Sequence, residues 1–184
     1  LLPLEAIEMT DEHRFTSGEL LKYVEGILEK FGLNSVQTSA VAHAITAPMS
    51  IITGGAGSGK TTIIRQITER LEAAGETVYL CAFTGKAAAR VREATDHEAS
   101  TIHRLLKWNG ERFTVGSLRD GTVIADEASM ISSSLLAEIV RRSPRRLVLV
   151  GDEAQLPPVG SGQPFHDLIR MQPGLVSNLT TCYR

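Results

Sequence analysis

The chain has 184 residues, of which 42% are hydrophobic and 22% are charged, and its formal net charge is −2. This length is enough for one full core, so we expect one domain with at most a small appendage. The near-neutral charge excludes a global basic field, so any binding of nucleic acid must depend on a local basic patch.

The cysteine content and the chain ends indicate which class of protein this is. Cys81 and Cys182 are the only cysteines, a number that indicates reduced thiols in a cytoplasmic protein rather than a disulfide framework. No apolar run reaches the roughly 18 residues of a membrane span. The chain begins without a methionine and without a basic signal-peptide region. We therefore expect a piece of a longer protein with no membrane association.

The first 33 residues predict a short helical appendage or the tail of a preceding domain. Thr16 and Glu19 have the spacing of a capping box, and the helix that follows is expected to stop near Gly32. A second helix is expected from about Asn34 to the residues before Pro48. Its apolar face is predicted to contain Val36, Ala40, Val41, Ala44 and Ile45.

The glycine-rich stretch 54–61 organises the chain, because it fits the phosphate-binding pattern G-x-x-x-x-G-K-[ST]. Its glycines let backbone N–H groups approach a polyphosphate, Lys60 brings a cation, and the Thr61 hydroxyl can ligate Mg²⁺. A buried strand at 50–53 precedes it, and a helix that Gly75 ends follows it. This agreement disfavours a chance glycine turn. The predicted nucleotide contacts are Gly54, Gly55, Ala56, Gly57, Ser58, Gly59, Lys60, Thr61 and Thr62.

Further apolar strands alternate with helices along the rest of the chain. Strands are predicted at 77–82, 122–125, 147–150 and 175–179, and residues 109–121 predict a loop or a small hairpin. This pattern is typical of an α/β fold with a mostly parallel sheet flanked by helices. Polar clusters follow the carboxyl ends of these strands, so we expect them to converge on one crevice.

Three polar side chains in these clusters have the chemistry that nucleotide hydrolysis needs. Asp126, at the end of an apolar strand, is expected to hold Mg²⁺ together with Thr61, and Glu127 is expected to activate water. Gln155, after the next strand, is expected to reach the γ-phosphate or the attacking water. An isolated Asp-Glu pair is more often a solvated turn, but its place after a buried strand favours the functional interpretation.

Five segments, taken in order, resemble motifs I, Ia, Ic, II and III of superfamily 1 DNA helicases, in the form of the RecD-like, 5′→3′ branch. The segments are 54–61, 83–88, 101–103, 126–130 and 151–160. The resemblance covers about residues 34–184. It implies a RecA-like P-loop NTPase domain, ATP or ADP with Mg²⁺ as cofactors, and single-stranded DNA as a partner.

The resemblance also assigns two residues whose own signals are weak. Gln37 falls where the family has its adenine-reading Q motif, although its spacing from Asn34 also fits a capping box, and one side chain cannot easily do both. Arg184 resembles the motif IV arginine that contacts the γ-phosphate, as an arginine finger does. The alternative for Arg184 is a frayed terminal residue.

Family members have a second motor domain with motifs V and VI, and nothing in 34–184 matches it. The resemblance therefore implies a first motor domain that binds nucleotide but does not unwind DNA alone. The full-length protein is then expected to be an ATP-dependent helicase in DNA repair or recombination. The pathway, partner subunits, step size and oligomeric state do not follow from the sequence.

Contacts with DNA are expected from hydroxyl and basic side chains after the second strand and near residue 101. These residues are Thr84, Lys86, Thr101, His103 and Arg104. His103 alone would more often be a structural histidine. Trp108 is able to stack on a base, but core packing is the commoner role of such an aromatic.

Two other functions remain open from the residues alone. A P-loop kinase or ATPase that does not act on DNA would share the phosphate loop, although it would leave the 151–160 run unexplained. An ATP-gated DNA-binding module would bind without translocation, and the presence of Glu127 and Gln155 argues against it. Stimulation of ATP hydrolysis by single-stranded DNA separates these alternatives.

Overall fold

The computed structural model describes residue 26 and residues 32–155, 158 and 160–180. Of the predicted appendage, residues 1–33, only residues 26, 32 and 33 are described, and Arg184 also lies outside the described residues. The helical segment predicted at 16–31 therefore stays a prediction.

A six-stranded sheet forms the centre of the described part of the chain. In chain order its strands are β1 Met49–Gly54, β2 Thr77–Ala82, β3 Ala99–Thr101, β4 Gly121–Asp126, β5 Arg146–Gly151 and β6 Val176–Leu179. Their order across the sheet is β3-β2-β4-β5-β1-β6, and each neighbouring pair is parallel. The predicted parallel α/β sheet is therefore confirmed.

Helices connect these strands and cover the sheet. They are α1 Ser35–Thr46, α2 Lys60–Ala73, α3 Gly85–Thr95, α4 Ile102–Leu105, α5 Ser133–Arg141 and α6 Pro164–Met171. Short 3₁₀ turns occur at Ala128–Met130 and Pro173–Leu175. Among the residues that the structure describes, no helix is both long and apolar enough to cross a membrane.

Both faces of the sheet are buried, which explains why its strands are continuously apolar. On one face, Ile52 and Ile124 pack with residues of α1 and α2, such as Ile64. On the other face, Ile51 and Val123 pack with residues of α5 and α6. Adjacent residues of one strand therefore enter opposite cores, since side chains alternate along a strand.

Side-chain caps set the starts of several helices. Asn34, Thr84 and Ser132 each accept a backbone N–H from the first turn of the helix that follows. Such caps satisfy groups that have no partner inside the helix, and each contributes about 1 kcal/mol. The predicted second helix is confirmed, but Val36 is 38% exposed, so its assignment to the apolar face was wrong.

The segment between β2 and β4 contains structure that the sequence did not predict. Ala99–Thr101 forms an edge strand beside β2, and only three residues take part, which is too few for a clear period. Beyond α4, Trp108 and Phe113 form an antiparallel bridge around a turn. Apart from this single bridge, residues 109–120 form a loop, which is the first of the two predicted alternatives for 109–121.

A buried ion pair joins the amino ends of three strands. Glu76 accepts hydrogen bonds from Thr122 and from Arg146, and its side chain is only 7% exposed. Burial by itself raises the pKa of Glu76. The hydrogen bonds from Thr122 and Arg146, together with the charges of Arg146 and Arg145, lower the pKa by more than burial raises it, so the net shift is downward. Glu76 therefore favours the folded state in its ionised form.

We predict that Glu76→Gln lowers the free energy of unfolding at pH 7 by about 1–3 kcal/mol, because it removes a buried charge-assisted contact. The pKa of Glu76 is lowered by folding, so its contribution is complete above the unfolded pKa and disappears as the pH falls through the folded pKa. Denaturant titrations at pH 7 and at acidic pH measure this difference.

The control is Arg145→Gln, which removes a 61% exposed partner at 3.7 Å from Glu76. An exposed pair contributes at most about 1 kcal/mol. Equal losses in the free energy of unfolding for the two variants would contradict the stabilising role of ionised Glu76. A loss from Glu76→Gln that does not become smaller at acidic pH would also contradict it.

Candidate functional site at the carboxyl edge of the sheet

The predicted polar residues follow the carboxyl ends of neighbouring strands. Along this edge the order is Thr101 after β3, Thr84 after β2, Asp126 and Glu127 at the end of β4, Gln155 after β5, and the phosphate loop after β1. In the register of β2 and β4, Ala82 lies opposite Asp126. The expectation that these polar residues gather at one edge of the sheet is confirmed, and the single crevice stays a prediction.

The phosphate loop has the backbone that its glycines predict. Gly57 and Gly59 have φ values of 76° and 87°, in the left-handed region that favours glycine. Gly59 is the cap residue of α2, so the amides of the first turn have no acceptor inside the helix. The Lys60 ammonium donates to the carbonyl oxygens of Gly54 and, at 2.9 Å, of Gly55. The backbone amides of the first turn of α2 and the Lys60 ammonium group therefore lie at the same loop.

The floor of this loop is tightly packed. A Cβ on Gly54 would lie 2.6 Å from Ser58 Oγ and 2.9 Å from Leu179 Cβ, so only glycine fits there. The Ser58 hydroxyl is buried and has no hydrogen-bond partner among the described residues. Within the part of the chain that the structure describes, it is a buried polar group that is left unsatisfied.

Gln37 connects α1 with the phosphate loop. Its Oε1 accepts from the Asn34 amide at 3.2 Å and completes a capping box, while its Nε2 donates to the Ser58 carbonyl at 3.4 Å. The capping interpretation is confirmed, and both ends of the amide have partners within the protein, so the adenine-reading role of Gln37 stays a prediction. With Asn34, Val36 and Ser58, Gln37 lines a narrow crevice beside the loop.

Asp126 and Glu127 lie two strands away from β1. Burial raises the pKa of Asp126, and the positive charges of Lys60 and Arg90 act in the opposite direction. Because burial penalises its lone negative charge, the Asp126 carboxylate is an oxygen donor for which a divalent cation is a favourable partner. Glu127 has φ 54°, a left-handed conformation that turns the chain sharply at the end of β4.

The loop after β5 is attached to the end of β1. The Glu153 amide donates to Thr53 Oγ1 at 3.2 Å, and the Ala154 amide donates to Asp152 Oδ1 at 3.0 Å. Gln155 follows directly and is exposed, between the ends of β1 and β4. The loop therefore presents Gln155 at the same edge of the sheet as Lys60.

The predicted DNA contacts cluster at the opposite end of this edge. Thr84 and Thr101 cap α3 and α4, and each accepts a backbone N–H through its hydroxyl oxygen. Lys86, His103 and Arg104 are exposed. Ala82 at the end of β2 and Thr101 at the end of β3 are paired in register. The residues that follow β2 and those that follow β3 therefore lie together on one surface.

An aromatic cluster borders this surface. Trp108 packs on Phe113 with ring centroids 4.7 Å apart, and His103 lies 5.7 Å from Phe113. With Phe83, Ser132 and Leu135 among others, these rings line a cleft of about 580 Å³. Trp108 is 45% exposed, so the expectation of core packing was wrong. The sequence reasoning also missed Phe113, whose only signal is a lone aromatic in a polar loop.

Cys81 lies beneath this edge without access to it. The thiol is completely buried, and burial with the nearby charge of Asp126 raises its pKa to about 12. It remains a thiol and packs as a small apolar side chain.

The residues present fit a nucleotide with a divalent cation. The loop supplies amides in left-handed turns, an unsatisfied hydroxyl at Ser58 and a cation at Lys60, which suit phosphate oxygens. Thr61 and Asp126 supply oxygen donors of the kind that Mg²⁺ prefers.

A phosphate loop and an acidic pair on the same edge of a parallel sheet define a P-loop NTPase domain. A family model described as an AAA domain matches residues 32–184, and the chain belongs to this family. Within it, the chain is 37% identical over 158 residues to the ATP-dependent RecD2 DNA helicase of Deinococcus radiodurans, covering 83% of this chain and 22% of that protein.

A second relative is the RecBCD enzyme subunit RecD of Mycobacterium tuberculosis, 35% identical over 181 residues and covering 80% of this chain and 32% of that protein. The chain thus spans a third or less of the length of these relatives. A crystal structure of the Pif1 helicase from Candida albicans superimposes with a TM-score of 0.61 at 22% identity, covering 82% of this chain and 40% of that one. These matches confirm the RecD-like resemblance and the RecA-like fold.

We predict that Gly59→Ala lowers the free energy of unfolding by about 1–3 kcal/mol, because any other residue is strained at this backbone conformation. The added Cβ would also lie 2.5 Å from Gln37 Nε2. Denaturant unfolding measures the loss. Gly55→Ala is the control, since a Cβ there meets nothing within 4 Å. Similar losses in both variants would contradict the predicted role of Gly59.

Proposed function

We propose that the chain is the ATP-binding and ATP-hydrolysing motor domain of an ATP-dependent DNA helicase that moves along single-stranded DNA. The observation that carries the proposal is the arrangement of the sheet edge. The phosphate loop occupies the β1 end, and the basic and aromatic surface occupies the β2 and β3 end, with Asp126 and Glu127 between them. The names of the RecD relatives support the same function.

At the nucleotide end, we assign each side chain by its position. Lys60 is assigned to the β- and γ-phosphates, and Thr61 with Asp126 to Mg²⁺. The adenine is assigned by the resemblance to the surface beside Gln37, where the side chain of Val36 is exposed. Backbone amides of the 54–61 loop are assigned to the phosphate oxygens.

Hydrolysis of ATP then uses Glu127 and Gln155. A water oxygen forms a bond to the γ-phosphorus as the bond to the bridging oxygen of ADP breaks, and the proton of the water passes to the Glu127 carboxylate. Gln155 orients that water or the γ-phosphate. Arg184, outside the described residues, is assigned to the γ-phosphate by resemblance alone.

At the DNA end, the proposal assigns a strand held by its phosphates. Thr84, Lys86, Thr101, His103 and Arg104 supply hydroxyl and basic groups that do not read sequence. The exposed face of Trp108 adds a stacking surface for bases in the adjoining cleft. Such binding is tolerant of sequence and weakens as salt rises.

Movement along DNA requires a second motor domain in the full-length protein, because a single domain cannot open and close around ATP. The short coverage of the RecD relatives is compatible with further domains. Repair or recombination of DNA is the setting that the resemblance favours.

We predict that Glu127→Gln in the full-length protein lowers ATP turnover by about 10²–10⁴-fold, because the amide cannot accept the proton. Nucleotide binding is expected to persist, since the phosphate loop is untouched. Steady-state hydrolysis with and without a single-stranded oligonucleotide, together with a nucleotide titration, measures both effects.

The control for this change is Glu93→Gln, an exposed carboxylate on α3. Unimpaired hydrolysis by Glu127→Gln would remove its assigned role. A wild-type protein that hydrolyses ATP without stimulation by DNA would point instead to a P-loop ATPase or kinase that does not act on DNA. Negligible hydrolysis in either condition would point to a gating module.

We predict that Lys86→Ala combined with His103→Ala weakens the binding of single-stranded DNA several-fold. The slope of log affinity against log salt concentration is expected to become shallower by about one, which corresponds to the loss of one phosphate contact. Nucleotide affinity is expected to stay unchanged, because neither residue belongs to the phosphate loop. Fluorescence anisotropy at low and moderate salt measures DNA binding. Arg65→Ala, which removes an exposed cation from α2, is the control. Loss of nucleotide binding, or unchanged DNA affinity, would contradict the proposed DNA path.

A further inference from the structure

Gln155 closes a short turn, residues 152–155, that follows β5 directly. The Gln155 amide donates to the Asp152 carbonyl oxygen at 3.1 Å, and the Ala154 amide donates to Asp152 Oδ1 at 3.0 Å. These two bonds set the internal shape of the turn. They do not decide which way the turn faces, because both of them begin and end inside it.

Two side chains from other elements hold this turn at Glu153. Thr53 Oγ1, near the end of β1, accepts from the Glu153 amide at 3.2 Å. The Nε2 atom of His166, on α6, lies 3.1 Å from the Glu153 carbonyl oxygen. A carbonyl oxygen can only accept, so Nε2 carries the hydrogen and donates it. Bonds to the amide and to the carbonyl of one residue fix both planar peptide groups beside it, whereas a single bond would let the turn pivot.

The His166 ring has a support that does not depend on the turn. Phe165, the preceding residue of α6, is 1% exposed and packs against the end of β5, where a Cβ on Gly151 would lie 2.8 Å from Phe165 Cζ. The rings of Phe165 and His166 meet edge to face, with centroids 5.9 Å apart. Nδ1 of His166 is buried and has no hydrogen-bond partner among the described residues. The Glu153 carbonyl is therefore the polar contact that the described residues give this ring.

The orientation of the turn matters because the Gln155 side chain is exposed. An exposed side chain is not directed by packing, so the backbone from which it projects decides the direction in which it points. Glu153 is two residues before Gln155 in the same turn, and a pivot at Glu153 would displace the Gln155 amide group. A contact at the Glu153 carbonyl therefore acts on the position of Gln155.

We propose that His166 is a positioning residue for ATP hydrolysis, which holds the Glu153 carbonyl and thereby keeps Gln155 directed at the attacking water or the γ-phosphate. This inference rests on the proposed function, in which Gln155 has that role. His166 does not touch the nucleotide and acts only through the 152–155 turn. Turnover of ATP thus depends on a hydrogen-bond donor at the place of Nε2, whereas the binding of ADP does not.

The test measures the maximal ATP turnover of the full-length protein with a saturating single-stranded oligothymidylate, together with its affinity for ADP. His166→Phe keeps a flat ring on α6 but cannot donate. We expect turnover to fall about tenfold, because a displacement of about 1 Å at a catalytic group can cost about 10²-fold in rate. The affinity for ADP is expected to stay unchanged, since the phosphate loop is untouched, whereas damage to the fold would lower both.

Three further variants make the result specific. His166→Gln loses the ring but keeps an N–H donor at the end of a side chain of similar reach, so it is expected to restore most of the turnover. Arg170→Gln changes a 65% exposed side chain of the same helix and is the matched control, with turnover unchanged. Adding His166→Phe to Gln155→Ala is expected to lower turnover no further, because the turn then has no amide group to direct.

The outcomes separate this inference from the proposed function. Turnover in His166→Phe that is not below that of His166→Gln overturns the inference alone, and so does a further loss when His166→Phe is added to Gln155→Ala. Loss of ADP binding in His166→Phe also overturns it. Unimpaired turnover in Gln155→Ala removes the role of Gln155 from the proposed function and this inference with it. A wild type that DNA does not stimulate overturns the helicase function, and the same variants then decide the inference on DNA-free turnover.

Discussion

Parallel pairing of strands that are buried on both faces is the constraint on which the rest of this structure depends. Helices cover both faces of the sheet, so polar groups of the central strands reach solvent only at the strand ends. Every connection returns the chain to the same edge, and the carboxyl ends therefore accumulate the polar residues. The gathering of polar residues at this edge is a consequence of the topology, and the loops supply their chemistry.

The strand order sets the distances along that edge. Neighbouring strands lie about 4.8 Å apart, so the end of β2 is about 14 Å from the end of β1, with β4 and β5 between them. The phosphate loop and Thr84 thus belong to separate sites, while Glu127, on the intervening β4, is within side-chain reach of Thr84. Glu127 therefore lies between the phosphate loop and the surface that contains Thr84.

Much of the fold and of the nucleotide site could be predicted, because local signals and tertiary structure agree there. The phosphate loop, the buried strands and the Asn34 cap each have a short-range cause. The edge strand Ala99–Thr101 could not be predicted, since three residues carry no period. The exposure of Trp108 also escaped prediction, because burial depends on what packs against a side chain.

In Gln37, one contact could be predicted from the sequence and the other could not. Its spacing from Asn34 predicts the capping box, but its contact with Ser58 joins residues that are 21 positions apart. The sequence by itself determined the class of fold, the phosphate loop and the acidic pair, because these depend on residue type and on spacing along the chain. Only the tertiary structure decided that Thr84 and Arg90 hold Glu127, because the order in which the strands pair, and not their order in the chain, decides which side chains meet.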